Sequence, residues 1–165
     1  MELHAGLIRD LTQEAWADRV CGYRLSQSEG SLMKPVYLGD FSSKEDVIVD
    51  FSGNRWSDDD KKKDQEVEDS LKDSEILLAW YGGETYEGQA FVLFRKDGKL
   101  WEVNGGHCSC YGLEGQWEPE ETTLEALDQR VIEGIDQDYY AYQKECDEAL
   151  KEIIKQLREE AKVGI

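Results

Sequence analysis

Two adjacent residues, Asp97-Gly98, constrain this chain more than any other feature of its sequence. They stand between the apolar runs AFVLFRK (90–96) and KLWEV (99–103). Asp-Gly accepts positive φ at both turn positions, and a two-residue turn of that kind matches the twist of the antiparallel strands it joins. The segment is therefore expected to form a β-hairpin. Phe91, Leu93 and Arg95 alternate with Val92, Phe94 and Lys96 on opposite faces of its first strand, and Leu100, Trp101 and Val103 lie in the return strand. ILLAWYGG (76–83), a short apolar run closed by Gly-Gly, supplies a third strand. Together these predict a three-stranded antiparallel meander, and MKPVYLGDF (33–41) has room for a fourth short strand.

Helical periodicity flanks this β region. Leu3, Leu7, Leu11 and Ala15 predict an amphipathic helix over 2–20. Ser43 before Lys44-Glu45-Asp46 predicts a helix start, with Val47, Ile48 and Phe51 turned inward and Gly53 as its stop. Thr122 and Glu125 have capping-box spacing at the head of a helix carrying Leu124, Leu127 and Val131, with Gly134 expected to interrupt it. Tyr142, Cys146, Leu150, Ile153 and Leu157 form the stripe of a last helix over about 137–162. The polar stretch NRWSDDDKKKDQEVEDSLKDSE reads as an exposed charged loop over about 54–75, with at most a frayed turn near Val67–Leu71. The expected fold is α+β in a single domain spanning 1–165: a three- to four-stranded antiparallel meander flanked by an N-terminal, a middle and a long C-terminal helix. A chain of 165 residues buries enough surface to fold without a metal or a disulfide.

Thirty-seven Asp and Glu stand against nineteen Lys and Arg, a net charge of −18. Such a surface repels nucleic acid and anionic membranes and attracts basic protein surfaces. Direct binding of DNA or RNA is not expected, because the largest basic run, Lys61-Lys62-Lys63, is flanked by acids on both sides. No stretch approaches the ~18 apolar residues of a membrane span, and the acid-bearing N-terminus does not read as a secretory leader. The thiols of Cys21, Cys108, Cys110 and Cys146 are accordingly expected to be reduced, in a cytoplasmic setting.

His107-Cys108-Ser109-Cys110 holds the residue types of a zinc or thiol site. Adjacent His107 and Cys108 rarely reach one ion, and on an extended strand they point to opposite faces, so neither a closed metal site nor a Cys–His nucleophile pair follows from the spacing. No bound cofactor is expected, and small thiols beside a sheet are the plainer reading. Phosphate-binding glycine loops, nucleophile elbows and His-Glu-x-x-His helices are absent, so a non-enzymatic protein is expected.

Charge is concentrated between Tyr111 and Tyr140, where nine acids face one base, Arg130. Glu114, Glu118, Glu120, Glu121, Glu125 and Asp128 are interleaved with Tyr111, Leu113 and Trp117, so the segment reads as a folded face with fixed carboxylates rather than an acidic tail. Glu114, Trp117, Glu118, Glu120, Glu121, Glu125 and Asp128 are the candidate partner-binding residues. Carboxylates fixed at phosphate-like spacing can occupy a groove built for DNA or RNA. A merely solvated acidic face is the alternative.

The run AFVLFRKDGKLWEVNGGHCSCYGLEGQWEPEETTLEAL, with YLGDFSSKEDVIVDF before it, resembles small, largely uncharacterised proteins encoded by phages and prophages. The resemblance covers about half the chain, chiefly 36–51 and 76–127, and carries no catalytic residue with it. It implies a phage accessory protein that acts on host machinery by binding. The expected function is an inhibitory, nucleic-acid-mimicking contact with a host factor, an anti-defence role included. A zinc- or thiol-dependent protein centred on residues 107–110, and a structural protein that forms a homodimer through its C-terminal helix, are the competing readings.

Overall fold

The computed structural model describes residues 33–53, 58–136 and 143–164; the expected helix over 2–20, and Tyr142 with it, lie outside them. The fold is α+β. Its strands are β1 (Val36–Gly39), β2 (Glu75–Gly83), β3 (Glu87–Lys96), β4 (Lys99–Cys108) and β5 (Glu120–Thr122), and its helices are α1 (Lys44–Phe51), α2 (Asp58–Leu71), α3 (Leu124–Asp136) and α4 (Gln143–Val163). The sheet order is β1-β2-β3-β4-β5. Strands β2 to β5 are antiparallel neighbours, but β1 runs parallel to β2, pairing Val36 with Leu78 and Gly39 with Tyr81. The expected antiparallel meander is thus the centre of a five-stranded mixed sheet. The parallel pair exists because α1 and α2 carry the chain back across the sheet before β2 begins, as a parallel connection requires.

Asp97 and Gly98 turn the central hairpin with φ of 54° and 74°, and Lys96 pairs with Lys99 across them. Both faces of the hairpin are covered. Ala90, Val92 and Phe94 join Val47, Phe51, Val67 and Leu71 in one core cluster. Phe91 and Leu93, also buried, project to the other face by the two-residue strand period. There Arg130 of α3 lies 4.6 Å above the Phe91 ring, and α4 packs on β2 and β1. Leu127, Val131, Leu150, Ile153, Ile154 and Leu157 bury the apolar sides of α3 and α4. A dimer built on α4 would therefore have to use its charged sides.

Several sequence expectations change. Within the 54–75 stretch, Asp58–Leu71 forms a 14-residue helix where a loop is expected. Val67 and Leu71, one turn apart, are fully buried, and that pair suffices to dock an otherwise charged helix. Helix α2 has no base in its own last turn, and two lysines from elsewhere serve its free carbonyls. Lys44 Nζ donates to Leu71 O, and Lys96 Nζ donates to Asp69 O and Ser70 O at 2.6 and 3.0 Å. Ser43 does cap α1, accepting from Asp46 N at 3.2 Å. Helix α3 starts one residue later than its capping box implies. Thr122 is buried in β5, and Thr123 Oγ1 accepts from Ala126 N instead. Gly134 does not interrupt α3. Strand β4 runs through Gly105 and Gly106 to Cys108. A Cβ at Gly105 would stand 3.0 Å from the buried Leu113 and Phe51 side chains, which would have to give way by a few tenths of an ångström.

If α2 is docked through two side chains, Leu71→Ala lowers the unfolding free energy by about 2–5 kcal/mol, whereas Glu68→Ala on its exposed side shifts it by less than about 0.5 kcal/mol. Urea melts followed by circular dichroism measure both, and equal small effects would mean that α2 is not held to the core.

Candidate functional site

The segment 109–119 crosses the Phe51 side of the sheet as a strap, and three residues pin it. Leu113 is buried. The Gln116 amide mimics a neighbouring strand: its Oε1 accepts from Gly106 N at 3.0 Å, and its Nε2 donates to Gly106 O and Gly112 O at 2.7 and 2.6 Å. Trp117 stacks on Phe94 with centroids 6.0 Å apart and meets Phe51 edge-on at 5.1 Å. Gly115, at φ 74°, bends the strap so that its N–H donates to Phe51 O at 3.1 Å.

The strap divides the expected binding residues by role. Trp117 is 8% exposed and acts as an anchor rather than a contact surface. Tyr111, expected to anchor, is 71% exposed, because its carbonyl closes a turn with Cys108 N while its ring leaves the sheet. Glu114, between Leu113 and Gln116, and Glu118, just after Trp117, are exposed. Glu120 and Glu121 are exposed on β5 at the sheet edge, and Glu125 in the first turn of α3 continues the line. Glu121 pairs with Lys99 at 2.7 Å, and Asp128 pairs with Arg158 of α4. Arg130, the only base in this stretch of sequence, turns inward. Its guanidinium reaches Glu102 at 2.7 Å as well as the Phe91 ring, so it serves Glu102 of β4 rather than the exposed Glu114, Glu118, Glu120 and Glu125. Burial pushes the Glu102 carboxyl up, but the Arg130 charge and hydrogen bonds from Arg130, Thr122 and Asn104 outweigh it and hold it below its ordinary range.

Beside the strap lies a corner that is scattered through the sequence. Tyr81 at the end of β2 meets Phe41 at 5.4 Å and the His107 ring edge-on at 5.5 Å. Burial raises the Tyr81 phenol, and Asp50, Asp40 and Glu114 raise it further. Asp50 is itself raised by burial and by Asp46 and Asp40. The acid of the strap thus continues onto α1 and the loop before it. His107 lies over Gly88, where any side chain would collide with its Nε2, so the ring is committed to the Tyr81–Gly88 corner.

Cys108 and Cys110 are exposed just beyond. Hydrogen bonds from the backbone of Cys110 and Tyr111 hold the Cys108 thiol below its ordinary pKa. Cys146, on the buried side of α4, is pushed up to about 12 by burial and then by Asp147. Among the described residues no group of three or more His, Cys, Asp or Glu side chains stands close enough to hold a metal ion, and no helix is long and apolar enough to cross a membrane. Comparison of the chain with protein-family models, with curated proteins and with solved structures finds no match.

Two outcomes follow from these environments. In the native protein Cys108 is carboxymethylated by iodoacetate at lower pH than an ordinary thiol, while Cys146 stays unlabelled until denaturant is added; peptide mapping by mass spectrometry reads both. Equal labelling of Cys108 and Cys146 in the folded chain would contradict the assignment. Glu102→Gln lowers stability at neutral pH by about 1–3 kcal/mol, the range for a hydrogen bond to a charged group. Because the folded pKa of Glu102 is depressed, its contribution is complete above the ordinary carboxylate range and is lost as pH falls through the folded value. The gap between wild type and variant should therefore close on acidification, and thermal melts across pH measure it.

Proposed function

We propose that this chain is a non-enzymatic binding protein whose carboxylate face, Glu114, Glu118, Glu120, Glu121 and Glu125, enters the basic groove of a protein partner. The partner class is a factor that handles nucleic acid. The context implied by the sequence resemblance, a phage protein that inhibits a host defence factor, belongs to the same proposal. The supporting observation is the inward turn of Arg130: the one base of this segment serves Glu102 and Phe91 and leaves the outer carboxylates exposed on a pinned strap and sheet edge. Carboxylates held by Leu113, Gln116 and Trp117 lose little further freedom on binding, which a disordered acidic tail cannot match. The thiol-dependent reading has one supporting observation, the lowered pKa of exposed Cys108.

Capture from host lysate identifies the partner, and surface plasmon resonance on the captured protein tests the face. Exchanging Glu114, Glu118, Glu120 and Glu121 for Lys should slow association at least about tenfold, because fixed complementary charge acts mainly on the on-rate. Raising the salt should slow the unmutated protein in the same way. Exchanging Glu66, Glu68, Glu84 and Glu87 for Lys changes the net charge equally from exposed positions off the strap. Equal losses in the two variants would reduce the effect to net charge. No loss in either would move the binding surface to the exposed aromatics Tyr86 and Tyr111.

A further inference from the structure

Among the described residues, the bases of α4 gather along one side of the helix. A cavity of about 320 Å³ between α3 and α4 is lined by four bases of α4, Lys151, Lys155, Arg158 and Lys162, with Ile154 as an apolar wall and Asp128 and Glu159 as its acids. We propose that this groove is a binding site for a small polyanion carrying a chain of phosphates, of the size of inorganic tripolyphosphate or a nucleoside triphosphate.

The helix is built for it. At 3.6 residues per turn, Lys144, Lys151, Lys155, Arg158 and Lys162 fall within an arc of roughly 60°. The apolar side formed by Cys146, Leu150, Ile153 and Leu157 lies to one flank of this arc, and Glu145, Glu148, Glu152 and Glu159 lie to the other. A helix selected only for solubility gains by mixing opposite charges one turn apart, and it loses by stacking like charges there. Here Lys151, Lys155, Arg158 and Lys162 stack at spacings of four, three and four, although Lys144 and Lys155 also pair with Glu148 and Glu152. Four cations around one cavity raise the local concentration of anions against the sign of the molecule as a whole.

The form of the groove selects among anions. Lys151 to Lys162 spans about 16 Å at 1.5 Å per residue, too long for one orthophosphate to touch both ends and suited to phosphates in series. Each ammonium offers three donors and the guanidinium five, so the ion pair of Arg158 with Asp128 leaves donors over. Asp128 on one side, and Glu152 and Glu159 on the other, set carboxylates along the rims. A compact anion fits between them, whereas a nucleic-acid duplex would bring its phosphates against both rims. The site is separate from the carboxylate face, so neither reading stands or falls with the other.

Isothermal titration at low salt with inorganic tripolyphosphate, ATP and orthophosphate tests the assignment on the full chain. Tripolyphosphate should bind one per chain, at least tenfold tighter than orthophosphate, and should raise the melting temperature. ATP binding as tightly as tripolyphosphate assigns the phosphate chain alone, and tighter ATP binding assigns a nucleotide. The double exchange Lys151→Ala with Lys155→Ala should weaken binding by tenfold or more, while Lys34→Ala, exposed and outside the groove, leaves it unchanged. Alanine at exposed helical positions keeps the helix, and circular dichroism verifies that it does. Absence of saturable tripolyphosphate binding overturns the proposal. So does equal weakening by Lys34→Ala, or a polyaspartate peptide that binds as tightly as tripolyphosphate.

Discussion

The structure depends on covering both faces of the β2–β3 pair. Residues 76–80 and 90–94 are buried without a break, so neither side of the sheet can face water. One face needs α1, α2 and the strap, and the other needs α3 and α4. A chain with so few bases then spends several of them on this assembly. Lys44 and Lys96 close the carbonyl end of α2, Arg130 serves Glu102 and Phe91, and Arg95 ties Glu75 of β2 to Glu160 of α4 at 3.2 and 3.0 Å. Cations committed to joining layers are not available to balance the outer surface. The exposed acid of the strap is therefore partly a consequence of how the layers are held.

The parts legible in the sequence are those fixed by neighbours in the chain. Asp97-Gly98 specifies its turn by the φ values only such residues tolerate, and Ser43 specifies a helix start by the donor it satisfies three residues on. The parts not legible are decided across the fold. Nothing local to VYLG says that it pairs parallel to β2. Glu120-Glu121-Thr122 has the composition of a loop and becomes β5 because Leu100–Glu102 presents an open edge. Helix α2 was hidden by its charge, although Val67 and Leu71 carried its only apolar signal at helical spacing. The unbroken runs ILLAW and AFVLF were themselves a sign that both faces would be covered, which strict alternation does not produce.

The candidate face shows the same division. Its carboxylates lie close together in sequence, so the segment could be read as a unit. The inward turn of Arg130 and the outward turn of Tyr111 could not, since each depends on what β3 and β4 present beneath. Asp40, Asp50 and His107 come to Tyr81 from three separate parts of the chain, and only the parallel pairing of β1 with β2 sets Asp40 beside Tyr81, its N–H donating to Tyr81 O at 2.8 Å. No spacing rule reaches across that distance.

Asp128 stands where the two charged regions meet. It is the last carboxylate of the line that begins at Glu114, and it also borders the basic groove through its ion pair with Arg158. That pair joins α3 to α4, so the end of the acidic line, on α3, and the basic stripe, on α4, keep a fixed relation. Opposite charges held apart on one rigid surface give the molecule a dipole as well as a net charge. For the proposed function, net charge would draw a basic partner in from any side, whereas a dipole would turn the approaching molecule so that the carboxylates lead. An anion seated among Lys151, Lys155, Arg158 and Lys162 would cancel the positive end and weaken that turning while leaving every carboxylate of the strap in place. The two regions need no contact with each other to be coupled in this way, because the coupling runs through the field, and it would fade within about 10 Å at moderate ionic strength.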